Sequence, residues 1–492
     1  MGSEAKNEQQ ANENEAATFK VYKERWLVLA VCCFLALSNA MQWISFSSLV
    51  TQTQNFYRGT QPGNGGFGYD VSLITNQIFQ FVAVFTGFGG MYITDNLGIR
   101  VACLLGTTLN VVGATLRLVA SNPLIESYLV KELILHSGSF ICASAQAFFL
   151  VLPSKIAECW FPCDQRAIAN VLSFVANPAG VALGTIIPSL IFPPNKLISS
   201  SWTFFQFTLG MELLALFPFI LALFIKHKIP PTPPSLSSAA HQTARGFGAS
   251  IISCITNVQF VIQMFIFAFA FSLLWSLMIY LESILNIQGY NLQGYPTAVC
   301  AIVGTLSSLL AGHVADKTKR FKEIIRFCTV GFALCIICLR CYLMYPYGGV
   351  HSTIIVYTLC GLLGAFSIPQ FPIGVELGVE TTFPVLEATS SGILVISGSL
   401  WMFIIPFLHE AFDDLNWFYN TGENEKNWQL ALDLSCFIAC VSVILSIFFM
   451  RPRYRRLELE ESKVSHQTLS PNSSRLTEES LETPRSLAFE MQ

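Results

Sequence analysis

Gly90-Met-Tyr-Ile-Thr-Asp95-Asn-Leu-Gly98-Ile-Arg100 is a polar turn between two apolar runs, and the chain repeats the element as Gly312-His-Val-Ala-Asp316-Lys-Thr-Lys-Arg320. Each copy puts a carboxylate at the end of an apolar helix, followed by a tight turn and basic side chains. A carboxylate so placed accepts bonds from the N-terminus of a neighbouring helix and locks two bodies in one arrangement. The first copy ends the second apolar run of the chain and the second copy ends the eighth. An offset of six runs predicts two related halves, each with a gate latch: Asp95 and Arg100 in one, Asp316 and Arg320 in the other. Plain polar punctuation of two loops is the alternative, and the recurrence speaks against it.

Composition agrees with a lipid setting. Of 492 residues, 53% are hydrophobic and 12% charged, against about 25% charged in an average soluble domain. With 41 Phe in the chain, one interior cannot hide all the apolar side chains, so much of the surface faces the bilayer. The net charge of −3 offers no basic excess for nucleic acid. A span needs about 20 apolar residues, and twelve such runs emerge. They are 26–50, 71–94, 101–120, 128–152, 167–192 and 203–225, then 251–285, 294–314, 324–345, 352–374, 385–408 and 429–450. A Pro/Ser stretch, Pro230 to Ser238, separates the two sets. The expected organisation is a disordered 1–25, a six-helix bundle 26–225, a linker 226–250, a second bundle 251–450 and a disordered tail 451–492.

Lys and Arg collect on the side shared by both termini, at Lys20, Lys23, Arg25, Arg166, Lys226, Lys317, Arg320, Arg451 and Arg453 among others. Opposite loops hold Arg58, Lys131, Lys196 and Lys426. Both termini are therefore expected in the cytoplasm, which leaves the sequon Asn472-Ser473-Ser474 on the wrong side for glycosylation. The first twenty residues have no apolar core, so no cleavable signal is expected. The fifteen Cys sit mostly inside apolar runs and read as small buried hydrophobes. Cys335, Cys338 and Cys341 lack His or a second CxxC pair, which argues against a metal. Hydrolase, nucleotide-binding and zincin motifs are absent in usable context, so neither catalysis nor a cofactor is expected.

Several polar or aromatic residues are costly where they stand. Asn39, Gln42 and Trp43 share a helical face in the first run, pointing to a cavity or a partner helix. Gln146 and Asn177 supply neutral hydrogen bonds near the bilayer centre. Trp275 and Tyr280 lie in the seventh run, the pseudo-symmetry mate of the first. Two aromatic faces from opposite halves are suited to enclosing a quaternary ammonium without a carboxylate; either Trp alone reads rather as interface packing. Glu212 sits mid-run and reads as a proton or cation coupling group or as a water-facing carboxylate. Glu376, Glu380 and Glu387 read as gating partners of basic loops. Arg117 is placed to snorkel, and His136 reads as a satisfied polar neighbour.

The six-plus-six plan and the Gly90 to Arg100 element resemble the major facilitator superfamily, an all-α polytopic membrane fold of 12 transmembrane helices in two pseudo-symmetric halves. More narrowly, Tyr22-Lys-Glu-Arg-Trp26, Ser38-Asn39-Ala40-Met41-Gln42-Trp43, Leu152-Pro153-Ser154-Lys155-Ile156-Ala157, Asn177-Pro178 and Gly374-Val-Glu376-Leu-Gly-Val-Glu380 are similar to the solute carrier 49 family. Its members are the feline leukaemia virus subgroup C receptor relatives, associated with heme export and with choline or ethanolamine transport. The resemblance implies an alternating-access transporter of a small-molecule substrate, with Trp43 and Gln146 at positions that frame the substrate in choline-transporting relatives. Trp275 stands where those relatives typically carry Tyr, and a polar residue of their eleventh span is replaced near Ser399. A porphyrin exporter, with His136 and Cys142 as candidate ligands, and a non-transporting receptor or scaffold are the competing readings. A monomer in the plasma membrane is expected.

Overall fold

The computed structural model describes residues 21–59, 70–162, 165–192, 201–227, 230, 232, 246–290, 292–345, 348–413 and 429–458. Readings that fall on residues 1–20, most of the linker, Lys196, Lys426, the Asn472 sequon and the tail beyond 458 lie outside the described residues.

The first half contains α1 (Glu24–Ile44), α2 (Val50–Arg58), α3 (Val71–Asn96), α4 (Ile99–Ala120), α5 (Tyr128–Phe149), α6 (Leu152–Trp160), α7 (Arg166–Ile191) and α8 (Ser201–Leu223). The second half contains α9 (Phe247–Ile255), α10 (Val258–Ile287), α11 (Tyr295–Thr318), α12 (Phe321–Tyr342), α13 (Val350–Ser367), α14 (Gln370–Thr382), α15 (Glu387–Asp413) and α16 (Gln429–Ile444), the last closed by a π turn at Leu445–Phe449. Among the described residues, twelve spans are long and apolar enough to cross a membrane. The first joins α1 and α2, the fourth joins α5 and α6, and the tenth joins α13 and α14.

The breaks in the fourth and tenth spans have a local cause. Pro153 sits in the first turn of α6, where its missing N–H costs no helical bond, so the chain re-aims between α5 and α6. Pro369 likewise caps α14. Between α3 and α4 the chain turns on Gly98 at φ +93, a left-handed conformation that a side chain disfavours. Close approach also depends on glycine: a Cβ on Gly364 would stand 2.0 Å from the Cys300 carbonyl oxygen, so α13 packs backbone to backbone on α11.

Several boundaries differ from the sequence expectation. The predicted run 251–285 is two helices: Asn257 interrupts it, its side chain accepting from Gln259 N–H at 3.2 Å and Phe260 N–H at 3.4 Å as an N-cap for α10. Residues 247–250, assigned to the linker, belong to α9. Residues 451–458, assigned to the disordered tail, are folded against the bundle: Tyr454 meets the Phe321 ring at 5.9 Å between centroids and its hydroxyl accepts from Lys322 N–H at 3.2 Å. Composition could not register that anchorage because the partners lie about 130 residues earlier.

The halves meet along two seams, α3 against α15 and α7 against α11. Outward faces carry exposed apolar side chains such as Phe85, Leu213, Leu310 and Phe437, as a lipid-facing surface does.

Candidate functional site

A cavity lies between the halves. Trp43 of α1, Gln80 of α3, Gln146 of α5, and Phe174, Asn177 and Pro178 of α7 line it from one side. Phe271 and Trp275 of α10, Ser308 of α11, and Ile368, Phe371 and Pro372 around the α13–α14 break line it from the other. The lining thus combines aromatic faces, carboxamides and a hydroxyl, with no formally charged side chain. Buried polar groups in such a place require a partner. Trp43 Nε1, Gln80 Oε1, Gln146 Oε1 and Ser308 Oγ have none among the described residues.

Four of the residues singled out from sequence come together there: Trp43, Gln146, Asn177 and Trp275. The two indoles do not face one another across a gap. Their centroids are 5.7 Å apart at 84°, an edge-to-face contact. A cation needs to lie within about 6 Å of each ring face, so no ammonium fits between them in this arrangement. They form one joined wall that bridges the halves.

The remaining three lie elsewhere. Asn39 donates to Asn110 Oδ1 and to the Cys142 carbonyl, both at 2.9 Å; it ties α1 to α4 and α5 as an interhelical clamp. Gln42 is buried without lining the cavity. The Tyr280 hydroxyl donates to Pro406 O at 3.4 Å, against α15. Glu212 accepts from Thr115 Oγ1 at 3.0 Å, between α8 and α4, and is also outside the lining. Gln80, Ser308, Phe271 and Phe371 were missed. Gln80 carried the signal that marked Gln146, a carboxamide amid an apolar run; Ser308 and the phenylalanines carried none.

Contacts between the halves lie toward both ends of the bundle. At the end away from the termini, below the Trp43–Trp275 wall, Gln293 Nε2 donates to Phe192 O at 3.5 Å. At the termini end Asp95 accepts from Thr389 Oγ1 at 2.8 Å, across the α3–α15 seam, and lies 3.6 Å from Lys155 Nζ. Asn170 Nδ2 donates to Glu376 Oε2 at 3.3 Å, across the halves. The Arg456 guanidinium donates to three carboxylates: Glu380 at 2.8 Å, Glu387 at 3.2 Å, and Glu376. Burial works against the charge on Arg456, but the three carboxylates outweigh it and hold its pKa well above the usual arginine value.

The other gating candidates are less engaged. Asp316 is half-exposed, with Lys319 at 3.9 Å, and shares a groove with Asn170 and Glu376. Arg100 donates to the Lys226 carbonyl at 3.4 Å, within its own half. Arg320 serves at the helix junction, its N–H donating to Thr318 Oγ1 at 3.4 Å.

Comparison with known proteins places this architecture. Residues 28–406 match the family model of the Major Facilitator Superfamily. The chain is 31% identical over 92% of both chains to "Solute carrier family 49 member A3" of Xenopus tropicalis. It is 26% identical to "Choline/ethanolamine transporter flvcr2b" of Danio rerio, over 78% of this chain and 76% of that one. The fold is similar to that of the proton:xylose symporter XylE, with a TM-score of 0.66 at 13% identity over 88% of this chain and 98% of the other. FucP in its outward conformation aligns with a TM-score of 0.59 at 16% identity, over 87% and 98%. The chain is a membrane transporter that belongs to the major facilitator superfamily and, within it, to solute carrier family 49.

Proposed function

We propose that this transporter carries a small organic cation of the choline or ethanolamine kind by alternating access. The observation that supports this reading is the lining of the central cavity: aromatic rings beside carboxamides and no carboxylate. Ring faces attract an ammonium group, while Gln146, Asn177 and Gln80 offer hydrogen bonds to a hydroxyl. Relatives at about a quarter identity bear the name choline/ethanolamine transporter. In the cation-bound state the Trp43–Trp275 contact parts to admit the head group, and it reforms when the site empties. With no nucleotide-binding motif in usable context, the solute's own gradient or a coupled ion drives the cycle, the halves rocking about the site. Glu212, away from the cavity and bonded to a hydroxyl, takes the coupling role only if its protonation alters the α4–α8 contact. The transporter works as a monomer in the plasma membrane, both termini cytoplasmic, so the termini end is the inner gate.

A porphyrin cargo fits the lining less well, because the lining residues include no His, Cys or Tyr to ligate iron and no Lys or Arg for propionates. The test is uptake of labelled choline, ethanolamine and heme in cells making the chain at matched surface levels. Trp43→Ala is expected to lower uptake about tenfold, the equivalent of a desolvated cation–π contact, and Gln146→Ala several-fold, as for one hydrogen bond. Choline and ethanolamine accumulation unchanged by expression would remove the cation assignment.

A further inference from the structure

The chain leaves its last span and turns back into the termini end. Arg326 holds the exit, donating to Ser446 O and Met450 O at 2.9 Å each. Tyr454 fixes the next residues to the start of α12. Arg456 then inserts between α14 and α15, its side chain 12% exposed. Leu457 N–H follows, donating to Glu380 Oε2 at 3.2 Å. Glu380 is fully buried and Glu387 nearly so, so three carboxylates from two helices converge on one guanidinium.

Two of those helices carry the contacts to the other half. Glu376 of α14 receives Asn170, and the first turn of α15, which holds Glu387, also holds Thr389, the donor to Asp95. Without the guanidinium the three carboxylates repel one another at short range in a poorly hydrated place. While they keep their charge, the repulsion drives α14 and α15 apart, which withdraws the groups that bond Asn170 and Asp95.

We propose that Arg456 is a positioning residue of the termini-end gate: its guanidinium, docked among Glu376, Glu380 and Glu387, holds α14 and α15 in the shape that bonds the other half, and its release leaves those carboxylates unpaired, which frees that end to open. This rests on reading the Asp95–Thr389 and Asn170–Glu376 contacts as the gate, and it is independent of which solute is carried. The segment therefore couples whatever binds or pulls the tail to the conformational equilibrium of the transporter.

Hydrogen exchange on the full-length protein in lipid nanodiscs, without solute, tests it. Arg456→Gln is expected to speed exchange about tenfold at 168–178 of α7 and 308–318 of α11, a coupling of ordinary size, while 276–287 at the opposite end is unchanged. Arg456→Lys keeps most of the protection. Combining Arg456→Gln with Glu376→Gln, Glu380→Gln and Glu387→Gln returns protection to within about threefold, since the repulsion is gone. Unchanged exchange in Arg456→Gln overturns the proposal, as does faster exchange everywhere or failure of the combined variant to restore it. Should Arg456→Gln not fold, the three Glu→Gln changes with Arg456 intact decide: the 451–458 segment loses protection while α7 and α11 keep theirs. Loss at both would also overturn the proposal.

Discussion

Asp95 and Asp316 close matching turns six spans apart, yet one is a buried carboxylate bonded across the halves and the other a half-exposed surface carboxylate. Asp95 has no exposed side-chain area and meets Lys155 and Thr389; Asp316 is 36% exposed and has Lys319 at 3.9 Å. The difference lies in the neighbouring spans. At the end of the fourth span stands Lys155, whereas the end of the tenth carries Glu376 and Glu380. A carboxylate beside a cation is drawn in; one beside another carboxylate stays in water. Asn170, placed early in α7 much as Thr389 is early in α15, accordingly donates to Glu376 rather than to Asp316. A repeated motif thus fixes the position of a charge, and its partner decides the work it does.

That contrast is open to breakage at three points. Asp95→Ala has the largest expected effect: it strips the buried Lys155 of one of its carboxylates and Thr389 of its acceptor, about 3 kcal/mol. Hydrogen exchange at the first turn of α15 should rise roughly a hundredfold. Thr389→Val removes one bond to a charged acceptor, about 1.5 kcal/mol, and the same amides should exchange about tenfold faster. Asp316→Asn ranks last, since a pair this exposed contributes under about 1 kcal/mol; exchange at the start of α7 should stay within about fivefold. An Asp316 effect as large as that of Asp95 would mean that the two turns are equivalent latches after all.

The spans were legible because a bilayer demands long apolar helices whatever surrounds them, and their ends were marked by Pro, Gly and charge. Local chemistry that acts over three or four residues was harder to see. Asn257 falls inside the expected run 251–285, though it caps α10. For the cavity, Trp43, Gln146, Asn177 and Trp275 stood out as costly residues near mid-bilayer and do line it. Asn39 stood out for the same reason and instead clamps three helices. A polar side chain in an apolar run announces that it needs a partner, and the run does not say whether that partner is a neighbouring helix or a solute. That Arg456 sits among three carboxylates was invisible, because they lie 69 to 80 residues away in the chain.

By itself, the sequence determined the number of spans, the division into related halves and the inventory of polar groups the membrane must accommodate, since hydrophobic length and the cost of buried polarity act along the chain. The tertiary structure alone decided that Trp43 rests against Trp275, that Asp95 rather than Asp316 bridges the halves, and that the tail's guanidinium sits among three carboxylates. Those outcomes depend on distances of a few ångströms between helices remote in sequence, over which electrostatic and hydrogen-bond energies change most steeply.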